Sequence, residues 1–331
     1  MKQRHVSLLD YARPVTTSKT DPMNSGAFAD VARKIEPTGC LRRAWPLAGG
    51  NSAAMTALEV ARPNGDTVKF VVRRRGARTV EQNTDVAEHE FKLLQALHAG
   101  AMAVPRPRLF DRSGDIFPDP YIVVDYADGT VEVAPSDPDE FLRLSAARLA
   151  GIHASGFSRQ DLPFVALQYN RLSRELARRR ENFDHSLDEE RILAVVRSAW
   201  PFAGMNPGVL LHGDFWTGNL LWDHDRIVAV IDWEDAEVGD PLADLAISRL
   251  DFLWLLGVQA MADFTRHYQS MTAITLDNLP YWDLCAALRP MHVIAEWAEP
   301  WPALGRPDVT EETMRRDHQM FVAQAMEKLG R

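Results

Sequence analysis

Two segments near the middle of the chain carry the most informative sequence: Leu210-Leu-His-Gly-Asp-Phe-Trp-Thr-Gly-Asn-Leu-Leu-Trp222 and Ile227-Val-Ala-Val-Ile-Asp-Trp-Glu234. The first places Asp214 and Asn219 in a loop that contains two glycines. Two short apolar runs on either side of Asp223-His-Asp225 predict a β-hairpin, because turn residues separate them. Such a hairpin returns Asp232 to the neighbourhood of Asn219, so three oxygen-bearing side chains meet at one end of a two-stranded support.

These three side chains divide between two kinds of chemistry. Asparagine and aspartate oxygens without His or Cys partners suit a hard cation such as Mg²⁺, so we predict that Asn219 and Asp232 are metal ligands. The remaining carboxylate, Asp214, is then free to accept a proton from a hydroxyl. Taken alone, Asp214 also fits an aspartate that caps a turn.

The composition narrows the class of protein. A chain of 331 residues predicts about two domains, or two lobes of one. The net charge of −9 argues against a nucleic-acid partner, since such proteins usually carry a basic surface. The cationic residues are 6 Lys and 31 Arg, so guanidinium groups carry most of the positive charge.

Other sequence features argue against disulfides, zinc and a membrane. Cys40 and Cys285 are far apart and form no CxxC pair, which argues against a disulfide framework or a zinc cluster. Residues 1–20 lack the apolar core of a signal peptide, and no long uncharged apolar run occurs. We therefore expect a cytoplasmic protein without a membrane partner, whose oligomeric state the sequence leaves unknown.

The pattern of elements changes near Tyr126. Before it, strand-like runs, a hairpin signal at Asn64-Gly65 and one helix over Val86 to Leu97 predict a small antiparallel sheet. After it, helical periodicity dominates, with helices predicted over Pro138 to Ala154, Leu172 to Arg180 and Leu187 to Trp200. We divide the chain into an N-terminal arm and helix (1–40), an N-lobe (41–126) and a C-lobe (127–331).

The pattern His212-Gly-Asp-x4-Asn219, with Asp232 thirteen residues further on, resembles the aminoglycoside phosphotransferase and choline kinase superfamily. The later segment Gly239-Asp-Pro-Leu-Ala-Asp-Leu245 resembles the same superfamily. The resemblance implies an α+β, bilobal protein-kinase-like fold. It also implies transfer of the γ-phosphate of ATP or GTP, with Mg²⁺, to a hydroxyl of a small molecule. In that reaction Asp214 is the catalytic base.

The resemblance also implies a nucleotide site in the first lobe. Its phosphate-covering loop corresponds to Gly49, Gly50, Asn51 and Ser52, whose backbone N–H groups would cradle an anion. The third strand usually ends in a lysine that binds phosphate, and Arg73 takes that place here, with Lys69 as an alternative cation. Arg74 and Arg75 are interpreted as a solvated strand end.

Three further parts of the nucleotide site follow from the same resemblance. Val71 lies over the adenine, and the hinge is formed by Asp125, Tyr126 and Ala127. The partner carboxylate of the strand cation comes from the next helix, where the spacing selects Glu90 over Glu88. Glu88 is then expected to be solvated.

His212, Asp240 and Asp244 are expected to support the site. For the two aspartates, hydrogen bonds that hold the catalytic loop are favoured over direct participation, and His212 is favoured as a buried scaffold residue. The acceptor is expected to bind residues 158–200 and 280–304. The second range contains acidic residues and Trp282, Trp297 and Trp301, which fit a cation–π site. Alternatively, Trp297 and Trp301, four residues apart, form one core face of a helix.

Two other function classes remain. Because the usual strand lysine is missing, a nucleotide-binding pseudokinase that acts as a regulatory or scaffold module is the main alternative. A protein kinase is disfavoured because no Ala-Pro-Glu segment follows the metal-binding motif. Within the small-molecule reading, the acceptor stays open among aminoglycosides, macrolides and choline-like or sugar-like metabolites.

Overall fold

The computed structural model describes residues 25–47, 53–75 and 85–331. Its first part is an antiparallel sheet of strand order β1-β2-β3-β5-β4, with helix α1 before the sheet and α2 between β3 and β4. The elements are α1 (Ser25–Ile35), β1 (Cys40–Leu47), β2 (Ala53–Ala61), β3 (Thr67–Arg75), α2 (Val86–Ala99), β4 (Pro107–Asp111) and β5 (Tyr121–Asp125).

Alternation along β3 gives the sheet two different faces. Phe70 and Val72 point to the outer face, where they are buried with Val31 of α1. Val71 points to the opposite face and joins the main core of the protein. Residues at odd positions of this strand therefore face the cleft between the two lobes, which is where Arg73 also lies.

The second part is mainly helical and contains the larger core. Its helices are α3 (Pro138–His153), α4 (Gln168–Ala177), α5 (Glu189–Ala199), α6 (Leu242–Leu256), α7 (Val258–Ser270), α8 (Leu279–Ala287), α9 (Ile294–Ala298) and α10 (Glu311–Lys328). Helix α6 is buried along most of its length. It packs between α7, α8 and α10, so it is the element around which the C-lobe is built.

Two small sheets lie at the lobe junction. The first joins β10, β9 and β6, and the second joins β7, β11 and β8. Their strands are β6 (Thr130–Val131), β7 (Ala166–Leu167), β8 (Val209–Leu211), β9 (Leu220–Asp223), β10 (Arg226–Val230) and β11 (Glu237–Gly239). Short 3₁₀ turns at Thr217–Asn219 and Trp233–Asp235 follow β8 and β10 and carry the motif residues.

The sequence predicted this architecture well. The α+β class, the antiparallel N-terminal sheet with one inserted helix, and the β9–β10 hairpin are all confirmed. Helix α3 ends one residue before its predicted end, whereas α4 begins four residues earlier than predicted. The proposed division at residues 40 and 126 stays a prediction. Among the described residues, no helix is long and apolar enough to cross a membrane.

Candidate active site

Hydrogen bonds to one buried carboxylate hold the loop that carries Asp214. Asp244, in the first turn of α6, accepts hydrogen bonds from the backbone amides of His212 at 2.7 Å and Gly213 at 2.8 Å. Two consecutive amides on two oxygens fix the direction of the chain immediately before Asp214. A second bond from α6 follows, because the Ser248 hydroxyl donates to the Phe215 carbonyl at 2.7 Å.

Asp244 is kept ionised by its partners. Burial opposes the charge, but hydrogen bonds from His153 and from the His212 amide outweigh it and hold the pKa of the Asp244 carboxyl below its ordinary value. His153 Nε2 lies 3.2 Å from Asp244, and its Nδ1 lies 2.6 Å from the Tyr268 hydroxyl. Helices α3, α6 and α7 thus join in one buried polar chain beneath the loop.

His212 is fully buried and both of its ring nitrogens have partners. Nε2 donates to the Ile231 carbonyl at 2.9 Å, and Nδ1 accepts the Asp214 amide at 3.3 Å. Because a carbonyl only accepts, Nε2 carries the ring hydrogen and Nδ1 is unprotonated. The ring therefore ties the loop to β10 and has no nitrogen left for proton transfer in the cleft.

Gly213 is required by a close approach. Its φ is +83°, and a Cβ built there would lie 2.1 Å from the Asp235 carbonyl oxygen. Only glycine therefore fits between His212 and Asp214.

The Asp214 carboxylate is held from both sides. Its Oδ2 accepts the Asn219 side-chain amide at 3.1 Å, and the same nitrogen donates to the Asp214 carbonyl at 2.8 Å. Its Oδ1 accepts Nη2 of Arg289 at 2.5 Å, from the segment that follows α8. The carboxylate is largely buried and faces the site in a fixed orientation.

Two more carboxyl groups surround this ion pair. Burial, with the charges of Asp214 and Glu234 adding to it and Arg289 opposing it, raises the pKa of Asp235 to about 7. Burial also raises the pKa of Asp251 on α6, again with Asp214 adding and Arg289 opposing. Arg289 therefore lies near all three carboxyl groups, and Asp214 is the one that it contacts.

Asp232 lies at the start of the turn after β10 and has a left-handed backbone, with φ of 64°. The Ile231 amide donates to the Asn219 carbonyl at 3.0 Å, so the hairpin does return Asp232 beside Asn219. From the opposite lobe, Nη2 of Arg73 donates to Asp232 Oδ1 at 2.6 Å. The strand cation and the predicted metal carboxylate therefore meet across the cleft.

Arg73 belongs to a larger charge cluster, made of Arg73, Arg75, Glu90, Asp232 and Glu234. Arg73 lies 3.2 Å from Glu90 and 3.3 Å from Glu234. Burial opposes its charge, but Glu90, Asp232 and Glu234 outweigh burial and raise the pKa of Arg73. The helix carboxylate selected from the sequence, Glu90, is thus the one in contact.

The interpretation of Arg74 and Arg75 as a solvated strand end is wrong. Arg75 is 3% exposed, pairs with Glu90 at 2.6 Å and also bonds Glu234 of the opposite lobe. It lies on the same face as Arg73 because β3 continues to Arg75, opposite Ala53. Arg74 points to the outer face, where its guanidinium lies 4.6 Å from the Phe117 ring centre.

The hinge residues follow β5. The Asp125 carboxylate accepts two hydrogen bonds from Arg108, at 2.6 and 2.8 Å. The Tyr126 amide donates to the Lys69 carbonyl at 3.1 Å. Lys69 itself pairs with Asp128 at 2.5 Å, so it lies at the hinge end of β3 and outside the charge cluster. Arg73, and not Lys69, is therefore the residue of the two that contacts Glu90 and Asp232.

Val71 and Ala127 border the cleft from different sides. Val71 is buried in the middle of the sheet, paired with Ala57 on one side and Val124 on the other. Ala127 packs against a small apolar cluster that contains Leu221 and Ile231 from the hairpin. The predicted phosphate loop, Gly49 to Ser52, lies outside the described residues.

Asn219 and Asp232 are the residues that would hold a magnesium ion. The Asn219 nitrogen faces Asp214, so the side-chain oxygen is the atom left to meet a cation. Within residues 25–47, 53–75 and 85–331, no three His, Cys, Asp or Glu side chains converge as a complete metal site. Such a pair of oxygen ligands fits a hard cation that takes its other ligands from phosphate and water.

The supporting aspartates have different partners. Asp244 holds the catalytic loop, as described above. Asp240 accepts the amides of Asn206 and Leu242, so it fixes the entrance to α6 and not the loop.

The tryptophans of the expected acceptor region belong to the core. Trp282, Trp297 and Trp301 are all buried, and Trp297 packs edge-on against Trp254 of α6. The predicted burial of Trp297 and Trp301 is confirmed, although the two residues lie in different elements, α9 and a 3₁₀ turn over Trp301–Leu304. The burial of the three rings argues against a cation–π site there. Arg289, Asp235 and Asp251 are among the titratable groups near Asp214.

The chain is similar to known phosphotransferases. The APH family model, described as the phosphotransferase enzyme family, matches residues 45–279. Acyl-CoA dehydrogenase family member 11 from Rattus norvegicus is 23% identical over 247 residues, covering 66% of this chain and 32% of that protein. The chain spans about a third or less of the length of the first curated relatives it matches.

Solved structures share the fold at low identity. The GDP and kanamycin complex of APH(2'')-IIIa is 17% identical with a TM-score of 0.59, covering 92% of this chain and 97% of that chain. Spectinomycin phosphotransferase, in complex with ADP and spectinomycin, is 11% identical with a TM-score of 0.60. The coverage there is 93% of this chain and 99% of the other.

Replacing Gly213 by alanine should disrupt the loop. The added Cβ meets the Asp235 carbonyl, and the positive φ costs about 1–2 kcal/mol by itself. Gly305→Ala is the matched control, since Gly305 has φ of +84° and open space around its Cβ position. Urea unfolding should show a larger loss for Gly213→Ala, and equal losses for the two variants would contradict the close approach.

Arg75→Met should lower the free energy of unfolding by about 1.5–3 kcal/mol, the range for hydrogen bonds to charged groups. In this variant Arg73 still pairs with Glu90 and Glu234, so both carboxylates keep a cationic partner. Arg112→Met serves as the control, because Arg112 is exposed and pairs with Glu88 at the surface. Matching urea midpoints for both variants would show that Arg75 is a surface residue after all.

Proposed function

The chain belongs to the phosphotransferase enzyme family, and from this we propose that it transfers the γ-phosphate of ATP or GTP to a hydroxyl of a small molecule. The proposal rests mainly on one arrangement. Asp214 contacts Asn219, and the hairpin returns Asp232 beside Asn219, where Arg73 of the opposite lobe meets it. A group that accepts a proton thus lies next to the groups that suit a metal–phosphate complex.

Each residue then has a role that its contacts support. Asp214 orients the acceptor hydroxyl and takes its proton as the oxygen attacks phosphorus. Asn219 and Asp232 would hold Mg²⁺, which supplies charge neutralisation at the phosphates when bound. Arg73, steered by Glu90, binds phosphate oxygens with a planar guanidinium in place of the usual ammonium. Positioning and charge do most of the work, because the phosphoryl transition state is loose.

The adenine or guanine would lie between the lobes. Val71 would cover one face of the base, and the backbone of Asp125 to Ala127 would meet its edge. Lys69, whose carbonyl accepts the Tyr126 amide, and Arg73, which pairs with Asp232, lie four residues apart on the cleft-facing side of β3. This separation suits a nucleotide that extends from hinge to catalytic loop.

The acceptor is a hydroxylated small molecule. Buried tryptophans leave no aromatic cage at residues 282–301, so we infer that polar contacts near Asp214 recognise it. The related structures were solved with kanamycin and with spectinomycin, which are both hydroxylated antibiotics. A screen of hydroxylated metabolites and antibiotics for ADP or GDP release, with water as the blank acceptor, tests the reaction directly.

Asp214→Asn should lower turnover by roughly 10²–10⁴, the usual size of a general acid–base contribution. Nucleotide affinity in the presence of Mg²⁺ should change little, since Asn219 and Asp232 remain. The measurement is nucleoside diphosphate release with the best acceptor from the screen. Near-normal turnover in the variant would reduce Asp214 to a loop-stabilising residue. Nucleotide binding without turnover in the wild type, across the whole screen, would instead favour a pseudokinase.

Asp232→Ala should abolish the Mg²⁺-dependent part of nucleotide binding without unfolding the protein. Arg73 keeps Glu90 and Glu234 as anionic partners in this variant, so its buried charge stays paired. Asp223→Ala is the control, because Asp223 lies on the same hairpin and pairs with Arg226 at the surface. A normal magnesium titration of nucleotide binding in Asp232→Ala would reject the metal assignment.

A further inference from the structure

Arg289 contacts the proposed catalytic base, yet it belongs to none of the sequence motifs. It lies 75 residues after Asp214, beyond the end of α8. Its side chain is 14% exposed, and Nη2 lies 2.5 Å from Asp214 Oδ1. The hydrogen bond from Asn219 occupies the other carboxylate oxygen, so Arg289 and Asn219 approach Asp214 from opposite sides.

A cation beside Asp214 balances the negative charges of this carboxylate and of the arriving phosphoryl group. Phosphoryl transfer moves negative charge away from the Arg73 side of the cleft and towards Asp214. Asp235 and Asp251 lie near Asp214 and Arg289 on that side, but burial raises the pKa of both carboxyl groups, so Asp214 is the main negative charge there. The loop from His212 to Asn219 itself contains no Lys or Arg. Arg289 therefore supplies the positive charge at the destination of the phosphoryl group.

A guanidinium group has the donors for two tasks at once. It carries five N–H groups in a planar fork, and the contact with Asp214 uses one nitrogen. The acceptor hydroxyl must come within about 2.6–3.2 Å of Asp214 to give up its proton. A phosphoryl group that joins this oxygen therefore arrives beside the guanidinium, whose geometry matches phosphate oxygens.

We propose that Arg289 is a catalytic residue that donates hydrogen bonds to the phosphoryl group during its transfer while it orients Asp214. In this step the bond between the γ-phosphorus and the bridging oxygen of the diphosphate breaks. The bond between the acceptor oxygen and phosphorus forms, and the acceptor proton passes to Asp214. Arg289 exchanges neither proton nor electron. The inference rests on the proposed function and adds a residue to it.

The experiment uses ADP, Mg²⁺ and aluminium fluoride, which together imitate the planar phosphoryl group in transfer. The protein is the full chain, and no acceptor other than water is needed. In the wild type, aluminium fluoride should lower the rate constant of ADP release, and we call the ratio of the rate constants without and with it the fluoride effect. In Arg289→Gln this ratio should fall by roughly 10²–10³, the cost of removing one donor to a developing charge. The affinity for ADP without fluoride should stay unchanged.

Arg306→Gln is the matched control. Arg306 has a similar exposure of 15% and pairs with a carboxylate, Asp308, outside the site. This variant should show the fluoride effect of the wild type. If Arg289→Gln does not fold, Arg289→Lys decides, because it keeps the charge and loses the planar fork. A weaker fluoride effect with intact ADP affinity supports the proposal there too, and an unaltered effect overturns it.

Restoration by a small molecule separates catalysis from structure. Methylguanidinium added to folded Arg289→Gln should recover part of the fluoride effect, which it would not do for a residue that only braces α8. An undiminished fluoride effect in Arg289→Gln overturns the role of Arg289 and leaves the proposed function standing. If the wild type shows neither a fluoride effect nor nucleotide turnover, this result contradicts the proposed function. It also contradicts this inference, which rests on that function.

Discussion

The hydrogen bonds from two backbone amides to Asp244 determine where the rest of the site lies. A helix buried on nearly every side cannot shift easily, and Asp244 stands in its first turn. The position of the loop that ends at Asn219 is thereby fixed relative to the most rigid part of the C-lobe. His153 and Tyr268 complete this anchor from two other helices, so the position of Asp214 depends on three helices and not on the loop alone.

The N-lobe is connected to this fixed loop by charge. Arg73 and Arg75 extend from one face of β3, and three carboxylates receive them, one from α2 and two from the turn after β10. Buried ion pairs of this kind add little net stability compared with apolar packing, but they are costly to break one partner at a time. They set the register of the lobes at the point where a nucleotide would bridge them.

Local patterns predicted most of the fold and the centre of the site. Period-two alternation placed Val71 and Arg73 on one face, and hairpin signals returned Asp232 to Asn219. The same alternation, carried one step further, places Arg75 in the cleft. The error lay in ending the strand too early. Arg289, His153 and Tyr268 carry no such signal, because their partners are 75 to 115 residues away and only the packing of helices brings them together. The roles of the site residues stay predictions.

The pair of arginines on β3 has a consequence for how variants of this chain should be read. Glu90 and Glu234 each bind both guanidiniums, so the contact between the lobes is redundant. Natural variation at either arginine would degrade the contact in steps and would not abolish it. Conversely, the absence of a lysine at the position of Arg73 says little about the contact between the lobes, since two arginines supply its positive charge. Loss of Arg73 or Arg75 alone thus weakens the contact and leaves one cation bound to Glu90 and Glu234, and only loss of both would remove the positive charge of the cluster.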